Sequence, residues 1–194
     1  MTLDVRIHGR GGQGVVTAAE LLSLAAFDQG LHAQALPSFG SERTGAPVVS
    51  YCRIDDQPIR AHDPLDAPQV VVVQDPTLLR ASDVLSGLAG NGFVVVNSAR
   101  TPAELEDVGL RLCGHQRAVC LPASELARER LGRPLPNTAL IGAVAALTGI
   151  VGLPALQAAI RQRFTTATDD VVAANLELAS DAHALVSERE HHDA

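Results

Sequence analysis

Residues Val5–Thr17 read VRIHGRGGQGVVT. A short apolar run, Leu3 to Ile7, leads into a loop made almost wholly of glycine, and an apolar helix opens near Gly14. Gly9, Gly11 and Gly14 keep the spacing G-x-G-x-x-G, with Gly12 in addition. Residues without Cβ turn tightly and let a ligand come against the backbone. The free N–H groups of the first helical turn then face that ligand, and the helix dipole favours negative charge there. A strand before the loop and a helix after it give the motif its context. Two readings stand. The loop is an anion cradle for a phosphate or pyrophosphate, with Arg10 as a cation and Gln13 as a neutral donor and acceptor. Or its glycines only let the first helix pack closely on a sheet. An NAD site is the weaker form of the first reading. It needs an acid about 20 residues past the loop, at the end of the second strand. Here that strand, LHAQALP (Leu31–Pro37), ends without one, and Asp28 precedes it.

The chain has 194 residues, and one domain over 1–190 with a frayed tail at 191–194 is expected. Hydrophobic residues make up 46% and aromatics 3%, so the core is built from Ala, Val and Leu, which suits a sheet covered by helices. The net charge of −7 argues against nucleic acid and anionic membrane as partners of the general surface. All 15 basic residues are arginine. Without lysine there is no Walker A lysine, no Schiff-base lysine and no lysine base. Cys52, Cys113 and Cys120 form no C-x-x-C, so no ferredoxin-type cluster motif can be built. Cys113, His115 and Cys120 lack a fourth ligand at matching spacing for zinc, and no metal site is expected. Free thiols and the absence of a signal-peptide pattern fit the cytoplasm. The longest apolar run, Ala139–Leu153, is too short and too marked by glycine for a membrane span.

Along the chain, the first helix closes at Gly30 and Leu31–Leu36 forms a strand. Pro37–Pro47, PSFGSERTGAP, is a loop that sets Phe39 beside Ser38, Ser41, Glu42 and Arg43. It is either a contact surface or an ordinary solvated turn. Val48–Ile54 is a strand, and Ile59–Ala61 is expected to return beside it as a hairpin. Gln69–Gln74 is a strand buried on both faces that ends at Gln74-Asp75-Pro76; polar residues at such a strand end sit where open α/β sheets bind ligands, or Asp75 caps a helix over Thr77–Leu88, which is the better reading. Further strands follow at Phe93–Asn97 and Arg117–Leu121, with a short helix over Ala103–Asp107 between them, then a helix over Pro122–Leu131. Asn137 is expected to cap an apolar helix, Thr138–Ile150, whose Gly142 needs a close helix crossing or a subunit contact to justify it. Leu153–Phe164 and Asp169–Arg189 complete the chain. The pattern predicts a three-layer α/β/α fold: a mostly parallel, Rossmann-like sheet with a β-hairpin insertion and C-terminal helices.

Three stretches in this order, GRGGQG (Gly9–Gly14), PSFGSERTGAPV (Pro37–Val48) and NTALIGA (Asn137–Ala143), resemble one family. The chain is similar, over roughly residues 3 to 185, to the gamma subunit or domain of the 2-oxoacid:ferredoxin oxidoreductases, the pyruvate, 2-oxoisovalerate, 2-oxoglutarate and indolepyruvate enzymes. Where many members carry Arg-Arg-Gly or Arg-Gly-Gly, this chain has Arg43-Thr44-Gly45 and lacks the second cation. The resemblance implies a subunit of a complex that cleaves a 2-oxoacid on thiamine diphosphate, passes electrons through iron–sulfur clusters to ferredoxin, and delivers the acyl group to coenzyme A. It places thiamine diphosphate, magnesium and the clusters on thiamine-binding alpha and beta subunits and a ferredoxin-like subunit. It leaves no catalytic residue on this chain, whose isolated form would be inactive. Gly9, Arg10, Gly11, Gly12, Gln13, Gly14, Ser38, Phe39, Ser41, Glu42, Arg43 and Asn137 are then the candidate residues toward coenzyme A, with subunit contact alone as the plainer role. Two other functions stay open: a stand-alone nucleotide-binding oxidoreductase of Rossmann type, and a coenzyme-binding module without catalysis. His8 and His62 are the only histidines near candidate loops, and His8 reads as a packed strand-end residue.

Overall fold

Val70–Val73 is four consecutive valines, all buried, and such a run has nowhere to lie but the middle of a sheet with both faces covered. A computed structural model describes residues 2–37, 45–60, 65–81 and 83–192. The strands are β1 (Leu3–Arg10), β2 (His32–Pro37), β3 (Pro47–Asp55), β4 (Val70–Val73), β5 (Phe93–Asn97) and β6 (Arg117–Leu121). They form one six-stranded sheet in the order β2-β3-β1-β4-β5-β6. β1, β4, β5 and β6 pair in parallel, whereas β3 runs antiparallel to both β1 and β2. The C-terminal ends of β1, β2, β4, β5 and β6 therefore share one edge.

The antiparallel insertion is β3 itself, set between β1 and β2. The expected hairpin partner at 59–61 is a correction: Ile59 and Arg60 form no strand, and Ala61 lies outside the described residues. The space beside β3 is already taken on both sides, by Ala33 to Leu36 and by Val5 to His8, so no edge remains for a third strand.

The helices are α1 (Val15–Asp28), α2 (Leu78–Ala81), α3 (Ala123–Leu131), α4 (Asn137–Thr148), α5 (Leu153–Arg163) and α6 (Asp169–His192), with a 3-10 turn at Ala103–Val108. The two covering layers are unequal. Leu3, Val5, Ile7, Val70 and Val72 share a core with α1, α3, α4, α5 and α6. Val71, Val73, Val94 and Val96 share a smaller core with Leu78, Leu79, Val84, Leu88, Leu105, Leu110 and Cys120.

The helix expected over Thr77–Leu88 is a correction too; among the described residues of that span only Leu78–Ala81 is helical. The cause is Arg6, whose Nη2 donates to the Val84 carbonyl at 3.0 Å and also to that of Ser86. Those carbonyls serve a strand arginine instead of a helix ladder. Gly87, at φ 72, lies against the Asp66 backbone. Two neighbours of Arg6 are equally unusual. Asp4 and Arg53 face each other across β1 and β3 as a bidentate pair, both contacts 2.8 Å. His8 is 9% exposed and its Nε2 has no hydrogen-bond partner. Burial, and secondarily the charge of Arg6, pushes the His8 pKa down to about 4.

Gly142 has its close crossing. A Cβ there would stand 2.4 Å from the Ala179 carbonyl oxygen, so α4 and α6 touch through backbone. Asn137 is a correction: Pro136 holds the N-cap position, and Asn137 is the first helical residue.

Two stability measurements check this packing. Gly142→Ala is expected to cost about 1–3 kcal/mol by overpacking and to lower the melting temperature by several degrees. Gly90→Ala, with no atom within 4 Å of the added Cβ, should change stability by less than about 0.5 kcal/mol. A histidine whose folded pKa lies below its unfolded value binds fewer protons when folded. Stability should thus be complete above about pH 6.5 and decline by roughly 3 kcal/mol as pH falls toward about 4. Denaturant unfolding across that window should lose this component in His8→Gln.

Candidate functional site

β1 runs out at Arg10, and the loop that follows closes on its own polar groups. The Arg10 amide donates to Gln13 Oε1 at 2.7 Å, and the Gln13 amide returns to the Arg10 carbonyl at 3.0 Å. This reciprocal pair holds the tight bend that Gly11 and Gly12 permit. The second bend meets it directly. The Gly11 amide donates to the Ala46 carbonyl at 2.9 Å, and the Gly45 amide to the Gly11 carbonyl at 3.2 Å. The C-terminal end of the Pro37–Pro47 segment is thus joined to the glycine loop at the edge where the parallel strands end. Ser38, Phe39, Ser41, Glu42 and Arg43, like His62, lie outside the described residues.

Arg10 is the hub. Its Nε pairs with Asp75 Oδ2 at 2.8 Å, Nη1 donates to the Gly45 carbonyl at 3.1 Å, and Nη2 donates to Thr77 Oγ1 at 2.8 Å. One guanidinium therefore ties the end of β1, the second bend and the residues after β4. Its planar fork of donors allows that; an ammonium could not span the same directions. Asp75 also accepts from the Thr77 amide at 3.0 Å and the Thr77 hydroxyl at 2.6 Å, which makes the turn before α2. Burial alone would raise the Asp75 carboxyl, but the Thr77 and Arg10 hydrogen bonds outweigh it and hold it below the usual carboxylate range. Asp75 stays ionised with its charge compensated, so the cation expected to face a ligand is spent within the chain.

What faces outward is backbone. Gly14, at φ 74, is the N-cap of α1. Among the described residues the amides of Gly12 and Gly14 have no acceptor, and the first helical turn leaves its N–H groups free as any helix does. Gly12 is exposed, with nothing within 4 Å of where a Cβ would stand. Gly14 can hold nothing larger for a second reason: a Cβ would lie 2.6 Å from Asn137 Nδ2. The first residue of α4 therefore packs under the first residue of the α1 cap, and the first and third sequence stretches are neighbours in space. Gly9 lies in β1 opposite Val48, where a Cβ would stand 2.6 Å from Val15 Cγ2.

Sequence reasoning noted the polar end of β4 at Gln74 but passed over Asn97, which frames this edge beside it. Asn97, at the end of β5, donates to the Gln74 carbonyl and to Ser124 Oγ, both at 2.8 Å, and accepts from the Ser124 amide at 2.9 Å. It latches β5 to β4 and to the start of α3. Gln74 is fully buried, with neither side-chain amide atom hydrogen-bonded. The signal in the sequence was a polar residue closing each valine run, at Gln74 and Asn97. Cys52 is buried and its thiol is pushed up to about 12 by desolvation, which leaves it unreactive. Among the described residues, no group of three or more His, Cys, Asp and Glu is placed to hold a metal ion. No helix among them is long and apolar enough to cross a membrane.

A family model described as pyruvate ferredoxin/flavodoxin oxidoreductase matches residues 4–185. The chain is 46% identical to the pyruvate/ketoisovalerate oxidoreductases common subunit gamma of Thermococcus kodakarensis, over 85% of this chain and 88% of that protein. It is 45% identical to the pyruvate synthase subunit PorC of Methanosarcina barkeri, over 81% of this chain and 84% of that one. The crystal structure of pyruvate oxidoreductase subunit PORC from Thermotoga maritima superposes with a TM-score of 0.79 at 33% identity, covering 94% of this chain and 95% of that chain. These likenesses run through the glycine loop, the β3 insertion and the C-terminal helices alike. The chain belongs to the pyruvate ferredoxin/flavodoxin oxidoreductase family and is of its gamma-subunit type.

Proposed function

We propose that this chain works inside a cytoplasmic complex that oxidises a 2-oxoacid to its acyl-coenzyme A and reduces ferredoxin, and that its own part is to complete the coenzyme A site. The observation that carries this reading is the joined pair of bends, with the free amides of Gly12 and Gly14 at the N-terminus of α1. Coenzyme A carries a pyrophosphate and a 3′-phosphate, and backbone N–H groups at a helix N-terminus suit such an anion. Arg10 supports the cradle by neutralising Asp75, which would otherwise repel a phosphate beside the loop. Gln13 holds the loop closed, and the Asn137 side chain packs against Gly14. Ser38, Phe39, Ser41, Glu42 and Arg43 belong to the segment that the reading turns toward a partner subunit.

Thiamine diphosphate with magnesium, and the iron–sulfur clusters, supply the carbon–carbon cleavage and the electron path, and in this reading they sit on thiamine-binding alpha and beta subunits and a ferredoxin-like subunit. This chain's residues bind and orient coenzyme A and hold subunits together; none moves a proton or an electron. The sheet is Rossmann-like in use as well as outline, because the ligand lies outside the carboxyl ends of its parallel strands.

Gly12→Asp in the co-expressed complex tests the cradle. The substitution points a negative charge outward from an uncrowded position, and it should raise the KM for coenzyme A about tenfold or more while the 2-oxoacid KM and subunit co-purification persist. Gly12→Asn, of nearly equal size and under the same backbone strain at φ 94, is the reference, and the coenzyme A KM of Gly12→Asp should exceed it about tenfold or more. An unchanged coenzyme A KM in Gly12→Asp overturns the cradle. A chain that co-purifies with no thiamine-binding subunit overturns the role as a whole.

A further inference from the structure

A second cleft opens on the same edge, one strand over. It has a volume of about 420 Å³ and lies beyond the carboxyl ends of β4 and β5, between α2 and the 3-10 turn. Thr77, Arg80, Ser98 and Arg100 line it, over a floor that includes Leu105 and Val108. Crevices at the carboxyl ends of adjacent parallel strands are where open α/β sheets take ligands, and this volume is in the range of small-molecule sites.

The charges in this cleft are only partly matched. Arg80 is exposed; its amide donates to the Thr77 carbonyl at 3.4 Å, and its guanidinium makes no hydrogen bond or ion pair among the described residues. Arg100 fixes its position through its own amide, which donates to Ser98 Oγ at 3.0 Å, and its Nη2 donates to the Glu104 carbonyl. The remaining guanidinium N–H groups are left for something else. Two nearby acids are engaged first elsewhere: hydrogen bonds from Thr101 are the main cause that holds the Glu104 carboxyl low, and the charge of Arg100 adds a smaller part. The Glu104 carboxylate is turned to Thr101, accepting from its amide at 2.7 Å and its hydroxyl at 2.8 Å. The Asp75 carboxylate is held by Arg10 and Thr77. Two arginines over an apolar floor, with two hydroxyls at the rim, fit a dianion carried on a body that is itself apolar.

We infer that this cleft binds a phosphate monoester on a nucleoside-sized body, with Arg80 and Arg100 on the phosphate and Leu105 and Val108 under the base. The site does not depend on the reading of the glycine loop. Thr77 connects the two places, since its hydroxyl lines the cleft and accepts from Arg10.

The phosphate has two chemical sources, the phosphorylated adenosine end of coenzyme A or a separate nucleotide. Titration of the full chain with adenosine 3′,5′-bisphosphate, followed by phosphorus NMR, should give saturable binding. Adenosine itself should bind about tenfold more weakly or worse, and the Arg80→Ala, Arg100→Ala pair should weaken the bisphosphate about tenfold. The Arg80→Lys, Arg100→Lys pair should recover part of the loss, which separates lost charge from a disturbed fold. Equal binding of adenosine, or no effect of the alanine pair, or no binding up to about 10 mM, overturns the site. In the assembled complex, a raised KM for coenzyme A with an unchanged KM for dephospho-coenzyme A assigns the cleft to coenzyme A. Unchanged values for both, alongside the lost bisphosphate binding, assign it to a separate nucleotide.

Discussion

The ion pair between Arg10 and Asp75 is the constraint on which this edge of the molecule depends. A sheet of parallel strands leaves each βα connection free to wander, because nothing in the ladder reaches past the last paired residue. Here the last residue of β1 carries a guanidinium that contacts the residues after β4 and the carbonyl of Gly45 at once. Its side chain is 31% exposed and that of Asp75 16%, so the pair is shielded from solvent screening more than a surface bridge would be. Removing either partner would leave a half-buried charge and three connections without a common anchor. The same pair sets the electrostatics of the edge. It cancels the acid beside the glycine loop and leaves backbone N–H groups as the outward-facing positive ends.

That arrangement explains why a chain of this composition can serve a reaction without carrying any of its reactive groups. Its polar investment is in shape. Asn97 latches two strands and a helix, Gln13 closes a loop, and Asn137 sits beneath Gly14. Each fixes a backbone path at the carboxyl edge of the sheet. The unequal layers point the same way. One face of the sheet is buried under five helices, whereas the other receives a one-turn helix and a 3-10 turn. Two charged residues of β1, Asp4 and Arg6, are held by Arg53 and by main-chain carbonyls, with Arg6 Nε buried and unpartnered.

Much of this was legible from residue order. Runs of four and three valines closed by Gln74 and Asn97 mark central parallel strands, and the glycine spacing after Ile7 marks the loop and the helix behind it. Gly142 in an apolar helix announced a close crossing, and Ala179 provides it. Four features were not legible, each for a tertiary reason. The partner of β3 was sought at 59–61, after it in the chain, but β3 pairs with two strands that precede it, across register separations from 13 residues (Pro37 with Ser50) to 51 (Leu3 with Ile54). The helix after Thr77 was cut short because a strand arginine 78 residues before Val84 takes its carbonyl. Arg10 read as a cation for a ligand because its nearest acid in sequence is not its partner; Asp75 is 65 residues away. Asn137 likewise read as a cap because asparagine before an apolar run usually is one, while its contact with Gly14 exists only once α1 and α4 are packed.

The account rests on the glycine loop and the second bend forming one continuous rim held by Arg10. Amide hydrogen exchange at Gly11 and Gly45 tests that most directly, since both donors lie between the two bends and in no helix or strand ladder. The account predicts that both amides exchange slowly in the full chain and that Arg10→Met releases them together. Exchange of either amide at the rate of a free loop in the unsubstituted chain would contradict it.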